Sequence, residues 1–365
     1  MRSRSAADDT IRLKPPPSRA FRINGRAVAG AVMAALVVGL ATWLVWPVFR
    51  LVMPRGGVQP PFTRPAPLPA GPAPSAALRS PTMPAPAVPA VVPAPPPPQF
   101  AIVTRNEAAI DADVPAGLTI FRFADDPSIV VLDFASLRSQ GLMLNRVAAF
   151  VEKAAAPRDR VLNDAQLAAL IRAGGDTVET FYYGHDYSAA ALARFFTVAD
   201  QDRIALDPEE VELHQLLAQL GWLAPGVRAG LISLPKVGAN GNVTAEARRV
   251  ILRLELAHGA YFSDPDYAAF VHQFWELALS DAERGAIRRF LASEEYDVSD
   301  RSLVENEMQA YLMFTHDRVF FTPRDIDMAP RRLVTLQRLF YRNMPAGWAR
   351  DMLGKTLGTA ITSAR

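Results

Sequence analysis

A carboxylate and an imidazole stand three residues apart in the run Arg253-Leu254-Glu255-Leu256-Ala257-His258-Gly259. The run lies inside an apolar helical pattern that begins near Thr244, a residue type suited to capping a helix N-terminus. On a helix that spacing makes Glu255 and His258 neighbours, and these residue types move protons or ligate metal ions. Leu254, four residues before His258, shares its face, and Glu255 lies about 100° further round. A plainer reading stands beside this one. Glu255 is then an exposed acid, and His258 a cation at a helix C-terminus, favoured by the macrodipole, with Gly259 as the residue that ends the helix. Glu-x-x-His also occurs in di-iron bundles, but those need the pair twice with two further glutamates, and the chain holds no second copy.

With Leu254 included, this run resembles the metal-binding helix of the zincin metallopeptidases, H-E-x-x-H, with leucine in place of the first histidine. About fifty residues on, Asn306-Glu307-Met308-Gln309-Ala310-Tyr311 resembles the helix that carries the third ligand in the glutamate zincins. The resemblance covers roughly 230–314. More narrowly, the run 255–321, with Ser263-Asp-Pro-Asp-Tyr267 and Phe274-Trp275, is similar to a group of membrane-anchored proteins of α-proteobacteria. The resemblance implies Glu255 as general base and His258 and Glu307 as metal ligands. Tyr311 falls where the family often places an acid that orients a ligand, a supporting position its hydroxyl can fill. An apolar strand ahead of the ligand helix, 230–234, matches the edge strand of a peptide groove. Catalytic zinc needs three protein ligands and a water, and this set has two. The resemblance therefore implies weakly bound Zn2+ or none, and an impaired peptidase.

His272 and His185 are the candidates for a substitute ligand, although neither has the spacing of a known motif. His185 sits in Tyr182-Tyr183-Gly184-His185-Asp186-Tyr187, an aromatic cluster at a strand end. Residues adjacent on a strand point to opposite faces, so His185 and Asp186 do not form a dyad by spacing, and a hydrogen-bonded buried histidine is the simpler reading. His214, beside Glu209, Glu210 and Glu212, reads as solvated, and His316 as a helix-end residue.

The elements that must position these residues read as an α+β domain over 99–365. Short apolar runs predict strands at 118–123, 129–134, 180–183 and 230–234. Helical periodicity covers about 135–154, 164–173, 188–199 and 208–221. After the turn at Gly238-Ala239-Asn240-Gly241, helices follow at 245–259, 264–278, 281–293, 302–314 and 324–341, with Asp281 and Ser302 as N-cap candidates. A mixed front half followed by a helical back half is α+β.

Ahead of the domain the composition changes twice. Residues 1–26 are polar and basic. Residues 27–49 carry no charge, and a bilayer core needs about 20 apolar helical residues. The segment exceeds the roughly 7–15 residues of a signal-peptide core and carries Trp43 and Trp46 near one end, as an interfacial belt would. It reads as a single transmembrane helix. The positive charge before it orients the N-terminus to the cytoplasm, which places the bulk of the chain in the periplasm of a bacterial inner membrane. Residues 50–98 hold most of the chain's 31 prolines and read as an extended spacer able to reach on the order of 100 Å.

The 365 residues include no cysteine, which excludes thiolate sites and disulfides within the chain. There is no P-loop, no G-x-G-x-x-G after a strand and no G-x-S-x-G. Lys and Arg number 39 against 37 acids, without a basic aromatic stripe, so nucleic-acid binding has no support. Two functions fit. The first is a membrane-anchored periplasmic protein with a degenerate zinc-metallopeptidase-like domain. The second is a non-catalytic envelope scaffold or adaptor that binds a peptide, a protein or a cell-wall partner.

Overall fold

Alternation of side chains along the central strands decides where every layer goes. A computed structural model describes residues 99–318 and 320–363. The apolar segment 27–49 and the proline-rich tract 50–98 lie outside the described residues. Among the described residues no helix is long and apolar enough to cross a membrane. Five strands form one mixed sheet in the order β1-β2-β3-β5-β4: β1 (Ile102–Arg105), β2 (Leu118–Phe123), β3 (Ile129–Phe134), β4 (His185–Ser188) and β5 (Gly230–Pro235). The β1–β2 and β3–β5 pairs are parallel, whereas β2–β3 and β5–β4 are antiparallel. Every residue of β3 and β5 is buried, because the sheet is covered on both sides. Val130, Leu132 and Leu231 face one core, and Ile129, Val131, Ile232 and Leu234 face the other.

The first core is closed by α2 (Leu137–Val151), α4 (Ala189–Gln201) and α5 (Pro208–Leu220). The short α1 (Glu107–Asp111) and α3 (Asp164–Ala173) complete the front half. The second core lies between the sheet and α6 (Ala245–Ser263), together with the helices that follow: α7 (Pro265–Ala278), α8 (Asp281–Ser293), α9 (Arg301–Gln309), α10 (Pro330–Asn343) and α11 (Trp348–Ser363). The architecture is α+β with a mainly helical C-terminal half, as expected.

Thr244 caps α6 by accepting from the Ala247 amide at 3.0 Å. The helix does not stop at Gly259. It runs to Ser263, and Asp264 both ends it and caps α7, accepting from Asp266 N at 2.9 Å and Tyr267 N at 3.1 Å. Gly259 serves a different purpose. A Cβ placed there would lie 2.9 Å from Ile129 Cδ1, and one on Gly230 would lie 3.1 Å from the Gly259 Cα. The two glycines let α6 press onto β3 and β5. A second fastening comes from Arg248, whose guanidinium grips Asp133 on β3 with two bonds of 2.8 and 2.7 Å and also donates to the Ile110 and Pro235 carbonyls. Both side chains are fully buried, so the pair is satisfied on every side and fixes the helix lengthwise.

Several expectations shift. The strand foreseen at 180–183 is irregular, and the strand itself is β4, just beyond it. The strand foreseen as an edge, 230–234, is interior, and its neighbour β4 forms the edge on that side. Ser280 and Asp300, rather than Asp281 and Ser302, accept the capping bonds of α8 and α9. The last long helix splits in two, with α10 beginning at Pro330.

Candidate metal centre

Three elements deliver the site. Strand β4 brings Asp186, α6 brings Glu255 and His258, and α9 brings Glu307. His185 and Tyr187 belong to the α2 side of the sheet, so the residue between them points to the α6 side. The Asp186 Oδ1 lies 3.6 Å from His258 Nδ1, and the Glu307 Oε2 lies 3.9 Å from His258 Nε2. One ligand atom from each of Asp186, His258 and Glu307 falls within 4.8 Å of the others, and among the described residues this is the one such group. His258 and Glu307 are each 1% exposed and Glu255 is 4% exposed. Asp186 is the member that touches solvent, its side chain 12% exposed.

Glu255 lies beside the three. It is within hydrogen-bonding reach of Asp186, and its Oε2 is buried without a partner. Its other oxygen occupies the space over Gly184, where a Cβ would approach Oε1 to 2.0 Å. Residue 184 must therefore be glycine for Glu255 to sit here. Asn306, next to Glu307, reaches both Asp186 and His258, and its Oδ1 in turn accepts from Gln309 at 3.2 Å. His258 Nδ1 is buried and unpartnered.

The electrostatics follow from burial. Loss of water pushes the Asp186 carboxyl up to about 7. Glu255 and Glu307 are held well above the usual carboxylate range, first by burial and then by each other's neighbourhood, Asp186 foremost. Glu152, which ends α2, is pushed up to about 8 by burial and by Asp186. Burial lowers His258 to about 4, so its contacts with Asp186 and Glu307 are made by a neutral imidazole, the form that ligates metals. Four acids packed this closely are stable when protons or a cation offset their charge. Nearby, the Lys153 ammonium lies 4.7 Å from the Tyr182 ring centre and 5.6 Å from that of Tyr296.

Tyr311 stands one step behind the group. Tyr296 reaches both Glu307 and Tyr311, so Tyr311 touches the candidate ligand through another tyrosine. It sits on the π-helical turn Ala310–Phe314 that continues α9, its ring edge-on to Phe290 at 5.0 Å.

The other histidines go elsewhere. His185 lies on the opposite face of the sheet, its Nδ1 3.0 Å from Ser233 Oγ and 3.2 Å from Gln140 Nε2, with burial holding it down to about 3. His272 is half-exposed on α7, 3.1 Å from the Glu305 carboxylate. His214 is exposed against the Phe196 ring, 4.7 Å away. Leu254 packs in the core between the sheet and the C-terminal helices. The structure thus brings together Glu255, His258 and Glu307, keeps Tyr311 adjacent, and leaves His185 and His272 outside. Sequence reasoning passed over Asp186, Asn306, Tyr296, Glu152 and Gly184. Strand alternation was the signal for Asp186: once His185 is assigned inward on one face, its neighbour must face the other.

Two carboxylates and one neutral imidazole, converging from three rigid elements with unpartnered polar atoms among them, fit a divalent cation with three protein ligands. Comparison of the chain with protein-family models, with characterised proteins and with solved structures finds no match.

Proposed function

We propose that the chain is an inner-membrane-anchored periplasmic protein whose folded part is a degenerate zinc-metallopeptidase-like domain with impaired turnover. The observation that carries this reading is the convergence of Asp186, His258 and Glu307 to within 4.8 Å, with Glu255 alongside. Asp186 takes the ligand place that Leu254 cannot fill. A bound divalent cation would polarise a water and a substrate carbonyl. Glu255, within reach of Asp186 and with its proton affinity raised by burial, is the group that would take the water's proton once a cation is bound. Tyr296 and Tyr311 would orient Glu307, and Asn306 would orient Asp186 and His258. Support for the anchor comes from the uncharged segment 27–49, the basic flank before it and the proline-rich spacer after it.

A second reading has its own observation. Three of the four site residues are at most 4% exposed, which suits a centre that stabilises the fold of an envelope scaffold or adaptor binding a peptide, a protein or a cell-wall partner.

The test is metal content. The full chain, purified without a histidine tag, is assayed by elemental analysis beside Glu307→Ala. Near-stoichiometric zinc that disappears in the variant supports the metal-binding domain, and no metal in either protein rejects it. Rescue of a deletion strain by Glu255→Gln then separates the readings: full rescue favours the scaffold, and failure favours catalysis.

A further inference from the structure

The three ligand positions differ in chemistry from the full set of the family that the helix resembles. Two imidazoles and one carboxylate would give two nitrogens and one charged oxygen. The structure supplies one nitrogen, from His258, and two carboxylate oxygens, from Asp186 and Glu307. Imidazole suits Zn2+, whereas carboxylate and water suit Mn2+ and Mg2+. The charge balance changes as well. Two carboxylates match the charge of a divalent cation, where two imidazoles and one carboxylate leave it one positive charge.

Resting on the metal-centre reading above, we infer that Asp186 retunes the site toward oxygen-preferring divalent cations of the Mn2+ class and erodes its preference for Zn2+. Asp186 sits on a paired strand whose register is fixed by four residue pairs with β5. Asp186 also carries the solvent contact of the group, so the altered ligand stands on the side from which a cation and its waters would arrive. A centre with its charge fully offset also acidifies a bound water less, which accounts for impaired turnover without loss of metal.

The experiment is a competition titration of the full chain, stripped with chelator, with Zn2+ and Mn2+ separately and together, beside Asp186→His and Asp186→Asn. The ratio of Zn2+ to Mn2+ affinity should be lower in the wild-type chain than in Asp186→His by about tenfold or more. An equal or higher ratio in the wild type overturns the inference. Should Asp186→His fail to fold, Asp186→Asn decides: Mn2+ affinity should fall further than Zn2+ affinity, and an equal fall overturns the inference. Undiminished binding of both ions in both variants removes Asp186 from the ligand set while the metal-centre reading survives. Absence of binding by the wild type overturns both.

Discussion

The carboxylate of Asp186 stands 3.6 Å from His258 Nδ1, joining the edge strand of the sheet to the helix packed beneath it. An ion held by both residues, as proposed, would tie the separation of the two elements to itself. Metal should therefore stabilise the fold. At a free concentration of 100 times Kd a single-site ligand adds about 2.7 kcal/mol. Thermal melts of the stripped full chain should show a clear rise in Tm on addition of Zn2+ or Mn2+. Asp186→Asn and Glu307→Gln should lose most of that rise. His272→Ala should keep all of it, since His272 is half-exposed and engaged with Glu305.

The contact between Gly259 and β3 should tolerate no side chain. A Cβ at 259 meets three Ile129 atoms at 2.9 to 3.2 Å, and overpacking of this kind costs about 1–3 kcal/mol. Gly259→Ala should lower the denaturation midpoint by that amount. Ile129→Val removes the nearest of those atoms, so the double variant should be less destabilised than the sum of the singles. Strict additivity would mean that the helix has moved rather than that Ile129 has yielded.

Removing one partner of the Arg248–Asp133 pair leaves a buried charge alone. Both residues are fully buried and joined by two bonds, so Asp133→Asn or Arg248→Met should destabilise by about 3–5 kcal/mol. Replacing both with apolar side chains should cost far less. Urea unfolding of the four proteins checks this.

The pair Glu283–Arg332 sets a pH dependence distant from the centre. Hydrogen bonds from Arg332 and Ser280 hold the Glu283 carboxyl at about 2, below its ordinary value of 4.5. Its folded-state value is depressed, so its contribution to stability is complete above about 4.5 and is lost as pH falls toward 2. The Tm difference between the wild type and Glu283→Gln should be constant from pH 7 to about 5 and shrink below that. A difference that grows on acidification would contradict the assignment.

Much of this frame was legible in the sequence, and the reasons for the misses are physical. β3 and β5 are buried apolar runs and β2 is a half-buried one, and helices α6 to α10 carry clear periodicity, so local pattern sufficed there, whereas the last helix, α11, was not foreseen. β1 is a largely exposed edge, and β4 reads His-Asp-Tyr-Ser. Neither has an apolar signature, and the expectation for β4 slid upstream onto the aromatic run 180–183. Gly259 read as a helix stop because glycine often is one. Its real constraint is a contact with Ile129, which sequence proximity cannot show. At the centre, Glu255 and His258 were recognisable by local spacing, and Glu307 by the resemblance of its helix to a third-ligand helix. Asp186 was not, because a residue brought by another element leaves no spacing to read.

Strand β4 presents an imidazole and a carboxylate back to back, His185 opposite Ser233 and Asp186 opposite Ile232. Sliding that strand by one residue against β5 would exchange them and deliver a nitrogen donor to α6. The two side chains that could face α6 are thus one step of alignment apart, without any change at residue 254. Tyr187 holds the present alignment: fully buried among α2-side residues, it would have to turn over together with His185. The side chain presented on one face of the sheet is guarded by an aromatic ring on the other.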